Sequence, residues 1–141
     1  MTPDQTRIQQ LLSGFAPRTG ATLTLDKGVC ALYDEQGQEA LVLEMPPQGD
    51  ALLLHCQLLE LLDMRRYESE PAAWRLMMTL NFEMNAMRGC WLALDEDNQI
   101  RLCHQQPVSA LNEVTFAPLL EAFIQQAREA RDLLLDTLSG R

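Results

Sequence analysis

The segment from Glu70 to Arg88 is long enough for a helix of about five turns. It carries apolar residues on more than one face: Ala73, Trp74, Leu76, Met77, Met78, Leu80, Phe82, Met84 and Met87. A surface helix of a globular protein shows one apolar stripe, so a helix that is apolar on two sides needs two partners. One is the chain's own sheet. In a chain of 141 residues, a second copy is the natural source of the other. Asn81 and Asn85 are four apart and share a face with Trp74, Met77 and Met78. Polar residues inside an apolar seam can fix the register of self-associating helices. The plainer reading makes the methionines fillers of irregular core gaps. The sharper reading makes them an interface, where Met and aromatics are enriched. The all-round apolar character favours the interface. The seam expected on this reading holds Trp74, Met77, Met78, Asn81, Met84, Asn85, Trp91 and Leu92.

The remaining elements follow from periodicity and punctuation. A first helix is expected over Pro3 to Phe15, with Thr2 as N-cap, Pro3 and Asp4 in the first turn, and Ile8, Leu11, Leu12 and Phe15 as its stripe. Gly14 and Pro17 are its stop signals. Strands are expected at Ala21–Leu25 and Val29–Tyr33, the two joined through Asp26-Lys27-Gly28. Further strands are expected at Glu39–Met45, after a loop containing Gly37, and at Ala51–Gln57. Leu58–Leu62 reads as either a strand end or a helical turn. Met64–Ser69 is a charged loop, with Ser69 or Glu70 opening the central helix. Cys90–Asp95 and Gln99–His104 read as a hairpin. A last helix is expected from Phe116 to Leu138, capped by Thr115 and striped by Phe116, Leu120, Phe123, Ala127, Ala130, Leu134 and Leu138. The order α-β-β-β-α-β-β-α, with hairpins that imply antiparallel pairing, makes a single α+β domain over residues 1–141: a twisted antiparallel sheet with flanking helices, paired into a homodimer through the central helix.

Composition removes several function classes. The net charge of −9 would repel a phosphate backbone or an anionic membrane, so neither nucleic acid nor membrane is an expected partner. No apolar run approaches the roughly 20 residues that span a bilayer, and the polar N-terminus lacks the apolar core of a signal peptide. A cytoplasmic location is therefore expected. Cys30, Cys56, Cys90 and Cys103 lack CxxC spacing and lie in apolar runs, where free cysteine behaves as a small hydrophobe. His55 and His104 each neighbour a cysteine, Cys56 and Cys103. Adjacent strand residues point to opposite faces, however, and zinc ligands normally stand two to four residues apart. Asp34, Glu35, Asp95, Glu96 and Asp97 read as solvated turn formers. Nucleophile elbow, P-loop and dinucleotide glycine fingerprints are all absent. No catalytic residue, metal or cofactor is expected.

One pattern spans essentially the whole chain. An amphipathic first helix and a three-strand region lead into a central helix with Asn81, Asn85 and Gly89 near its end. Trp91-Leu92-Ala93-Leu94-Asp95 then turns into Ile100-Arg101-Leu102, and a Pro107 loop leads to Phe116, Leu120, Phe123 and Ala127. This resembles the class I type III secretion chaperones of the Tir-chaperone family. The resemblance implies a small bacterial cytosolic homodimer that binds the N-terminal segment of one or a few secreted effectors. The bound segment stays extended around the dimer, and the chaperone hydrolyses no nucleotide. A secretion-apparatus ATPase is a further partner on the same footing. The expected effector-binding surface combines a groove lined by Ile8, Leu12 and Phe15 with a sheet edge holding Leu23, Leu25, Val29, Ala31 and Tyr33. A regulatory or adaptor domain of the same fold, without a secretion client, is the competing reading, because fold does not fix function.

Overall fold

The computed structural model describes residues 1–19 and 23–140, with backbone alone at 16–19. Five strands form one sheet in the order β1-β2-β3-β5-β4. They are β1 (Val29–Tyr33), β2 (Glu39–Glu44), β3 (Ala51–Glu60), β4 (Trp91–Leu94) and β5 (Gln99–Pro107). The helices are α1 (Pro3–Thr19), α2 (Leu61–Met64), α3 (Glu70–Phe82), α4 (Met84–Met87) and α5 (Phe116–Leu138), with a short 3-10 turn at Val108–Ala110. This is the expected α+β order. Two compact units can be described separately, Met1–Leu54 with Gln105–Phe123 and His55–His104 with Ile124–Arg141.

In the first unit, α1 begins with a reciprocal cap. The Gln5 N–H donates to Thr2 Oγ1 at 3.1 Å, and the Thr2 N–H donates to Gln5 Oε1 at 3.0 Å. Each side chain thus satisfies a backbone donor that a helix start leaves orphaned. The buried Gln5 also donates through Nε2 to the Met45 carbonyl at 2.9 Å. The helix runs through Gly14 and Pro17 to Thr19, four residues past the expected end. Its stripe of Ile8, Leu11, Leu12 and Phe15 is buried with Leu41 and Leu43 of β2, Leu52 and Leu54 of β3, and Phe116 and Leu120 of α5. Phe15 meets Phe116 edge to face with ring centroids 6.4 Å apart.

The strand expected at Ala21–Leu25 does not form over its described part. Ala21 and Thr22 lie outside the described residues. Leu23 and Leu25 are buried but not in a strand. Gln9 of α1 clasps this stretch: its Nε2 donates to the Leu23 carbonyl (3.1 Å) and its Oε1 accepts from the Leu25 N–H (2.8 Å). One side-chain amide therefore occupies backbone groups that a neighbouring strand would use. Asp26 and Val29 do bridge, around Lys27 and Gly28 at φ 52° and 81°, the left-handed pair that a tight hairpin turn requires. A Cβ on Gly28 would lie 2.5 Å from the Met45 carbonyl oxygen, so glycine is needed there for space as well as for φ.

In the second unit, the uncertain stretch after Gln57 resolves into both of its readings. β3 continues to Glu60, and α2 follows at Leu61–Met64. Arg131 of α5 holds the strand end, donating to the carbonyls of Leu58 (3.1 Å) and Gln57 (2.6 Å). The central helix is interrupted, contrary to the single helix expected over Glu70 to Arg88. Glu83 takes φ −85° and ψ 74° between α3 and α4. Asn81, Phe82 and Asn85 are all mediocre helix formers, and Asn81 spends its amide elsewhere, as described below. α5 keeps the expected boundaries, but its start is organised by Asn112 rather than Thr115. Asn112 Oδ1 accepts from the N–H groups of Val114 (2.8 Å) and Thr115 (3.0 Å). The Ser69 hydroxyl likewise bonds the Leu138 carbonyl instead of capping α3.

Candidate functional site

Two surfaces hold most of the residues singled out from the sequence. The first is the edge strand β1, which pairs only with β2 within the sheet. Its exposed face carries Val29, Ala31 and Tyr33, with Tyr33 64% exposed, while Cys30 and Leu32 point inward. The Met45 N–H donates to the Gly28 carbonyl, and both Val29 backbone groups turn to Asp26. Strand alternation then aims the N–H and C=O of Ala31 away from β2. Among the described residues, the Asp26–Val29 bridge is the only pairing on that outer side. A register shift between Leu32 and Tyr33 ends the regular ladder. Burial pushes the Cys30 thiol above its usual range, an effect the Thr24 N–H partly offsets.

The other residues expected on this surface sit elsewhere. Ile8, Leu12, Phe15, Leu23 and Leu25 are all buried within the chain, Ile8 and Leu12 completely. Phe15 borders a cleft of about 130 Å³ shared with Gln10, Leu11, Gly14, Glu113, Phe116 and Ala117. Among the described residues, Ile8 and Leu12 offer no exposed surface to a groove. The sequence displayed the stripe but not its covering.

The second surface is an apolar ridge in the other unit. Met78, Phe82 and Met84 are 71%, 85% and 72% exposed, and Trp91 and Leu94 of β4 are also exposed. Exposed methionine and aromatic surface of this kind is what interaction sites commonly carry. Of the residues expected in a seam, Met78, Met84, Asn85 and Trp91 lie exposed and Trp74 half-buried. Met77 and Leu92 are 3% and 6% exposed and pack inside the chain. Phe82 and Leu94 join the ridge from outside the expected set. Phe82 follows Met78 by four residues, so helical spacing alone could have named it.

Asn81, exposed like Asn85, spends its amide on the following strand. Its Nδ2 donates to the Leu92 carbonyl at 3.0 Å, and its Oδ1 accepts from the Leu92 N–H at 2.8 Å. β4 pairs with β5 through Trp91–Cys103, Leu92–Leu102, Ala93–Arg101 and Leu94–Ile100. Asn81 thus sits on the outer side of an edge strand.

Several polar side chains make local contacts. Arg101 donates through Nε to Asp95 (2.8 Å), and its Nη1 lies 3.1 Å from His55 Nδ1. Burial pushes the Asp95 carboxyl up, but hydrogen bonds from the Gln99 N–H, Arg101 and the Asp97 N–H outweigh it and hold the carboxyl below the usual range. Cys90 Sγ is 4.0 Å from His104 Nδ1. Burial, with Cys103 nearby, pushes the Cys90 thiol up to about 11. All four cysteines are free, Cys30 and Cys56 buried and Cys90 and Cys103 half-buried. Among the described residues no three His, Cys, Asp or Glu side chains are grouped to hold a metal ion, and no helix is long and apolar enough to cross a membrane.

Comparison with known proteins supplies the family. No curated protein matches the chain. A chain in the crystal structure of the ExsC–ExsE complex superposes with a TM-score of 0.77 at 21% identity, covering 92% of this chain and 95% of that one. A chain in the HopA1–SchA chaperone–effector complex superposes with a TM-score of 0.71 at 18% identity, covering 94% and 98%. A chain in the ExoU–SpcU complex from the type III secretion system of Pseudomonas aeruginosa follows with 0.57 at 16% identity, covering 95% and 99%. At these identities the likeness establishes a shared fold. The Tir chaperone protein family model matches residues 10–131, most of the length, and the chain accordingly belongs to the Tir chaperone protein (CesT) family.

Proposed function

We propose that this protein is a cytosolic bacterial chaperone that binds the N-terminal segment of one or more type III secreted effectors and keeps it extended, soluble and ready for export. The observation that carries this reading is the outer side of β1 at Ala31, where no backbone pairing occurs among the described residues. An extended peptide can add to such an edge as one more strand, with main-chain hydrogen bonds supplying affinity and neighbouring side chains supplying selection. Val29 and Tyr33 flank that position with apolar surface. Family membership supports an effector as client, and the ExsC–ExsE, HopA1–SchA and ExoU–SpcU complexes each contain a chain of the same fold. Holding a chain unfolded needs only binding energy that exceeds the client's own internal contacts, so no cofactor or catalytic turnover enters. The working form on this reading is a homodimer through the Met78–Phe82–Met84 ridge with Trp91, and a secretion ATPase is the partner that later strips the client. The charge of −9 keeps a protein with this much exposed apolar surface soluble.

Proline at Ala31 tests the reading. An edge-strand position whose N–H faces outward tolerates proline, because no ladder bond to β2 is lost. Co-expressed with candidate effector segments, Ala31→Pro is expected to fold and assemble as the parent does while losing the client. Ala31→Val, which keeps the N–H, is expected to retain it. Full client retention by Ala31→Pro would mean that binding does not use this edge.

A further inference from the structure

We propose that Asn81 is a built-in stopper of the β4 edge, standing in for a strand neighbour so that β4 of a second copy cannot pair there. The sequence of β4, Trp91-Leu92-Ala93-Leu94, has what an edge strand normally avoids. It carries no charge and no proline, its register with β5 runs without a shift, and Trp91 and Leu94 are exposed beside the edge. Edge strands are usually protected by lysine, proline or a bulge, since unpaired backbone groups are a template for another chain. Here the protection is a side-chain amide. Its carbonyl and amino groups reproduce the acceptor and donor of a strand residue, and they occupy both backbone groups of Leu92. The next outward donor in the alternation, the Cys90 N–H, is taken by the Met87 carbonyl at 2.9 Å. The end of α3 thereby occupies the outward groups of Leu92, and the last residue of α4 takes the outward N–H of Cys90 just before the strand. One consequence rests on the proposed function: an extended client is confined to the β1 edge.

The test uses the full chain alone, so it stands apart from any client. In Asn81→Ala, amide exchange at Leu92 is expected to rise roughly tenfold or more in dilute solution, as befits a lost hydrogen bond. With increasing concentration the variant is expected to sediment as species larger than the parent assembly, and Leu92 exchange is expected to slow again as they form. Asn81→Asp, which keeps the acceptor for the Leu92 N–H but loses the donor, is expected to assemble less than Asn81→Ala and more than the parent. Unchanged exchange at Leu92 overturns the proposal. So does faster exchange without larger species, because the edge then needs no stopper, and so do larger species in which Leu92 stays exposed. If Asn81→Ala fails to fold, Asn81→Asp carries the same readouts, and failure of both to fold makes Asn81 a structural residue and overturns the proposal.

Discussion

Leu12→Asp is expected to unfold the chain rather than to release a partner from a folded one. Leu12 is completely buried, as are Ile8, Leu41, Leu43, Leu52 and Leu120 of the same core. The described structure places no cation among them. Burying an unpaired carboxylate costs several kcal/mol at least, against a total stability of about 5–15 kcal/mol for an ordinary domain. Leu12→Ala, which only removes methyl groups, should cost about 2–5 kcal/mol and leave a folded protein with a lower denaturation midpoint. Circular dichroism and urea titration of both variants check this. A Leu12→Asp protein with parental dichroism and midpoint would show that the α1 stripe is a surface after all.

Phe82→Glu is expected to do the reverse, leaving the fold intact and dissolving the dimer. Phe82 is the most exposed of the ridge residues, so its replacement leaves no cavity and strands no buried partner. In a dry seam, however, it would be an anchor. Loss of such an anchor costs about 2 kcal/mol or more, which is about a 30-fold weaker dimer, and a carboxylate in its place adds a desolvation penalty. Met78→Glu should act in the same direction. Sedimentation of parent and variants over a range of concentrations reads the result. A parent that is monomeric at micromolar concentration would overturn the proposed dimer, and a Phe82→Glu protein that remains dimeric would place the interface elsewhere.

The parts of this fold that were legible in advance are those written in local periodicity. The stripe of α5 from Phe116 to Leu138 declares its own length and burial. The Thr2 cap is visible because Ser, Thr, Asp and Asn recur at helix starts for a known geometric reason. What was missed depends on side chains reaching backbone far away in sequence. Gln9 meets Leu23 and Leu25. Asn81 meets Leu92, and Arg131 meets Gln57 and Leu58. Nothing local in the sequence distinguishes these amides and this guanidinium from others on solvated faces. The same limit applied to the α1 stripe. Ile8, Leu12 and Phe15 show by spacing that one face is covered, but not whether the cover is the chain's own sheet or a client. The central helix was read correctly as two-sided, and its exposed side carries Met78, Phe82 and Met84. Its break at Glu83 escaped notice because no proline or glycine marks it.

Hydrogen exchange on the protein in complex with a co-purified effector segment tests the central claim most directly. If an extended client adds as a strand at the open edge, exchange of the Ala31 amide should slow by at least about tenfold on binding, as a newly formed edge hydrogen bond requires. The Leu92 amide, already held by Asn81, should not change, and the client's own amides should be protected only where it contacts the chaperone. Protection at Leu92 or Leu94 with Ala31 unchanged, or a client protected throughout as a folded domain, would contradict the account.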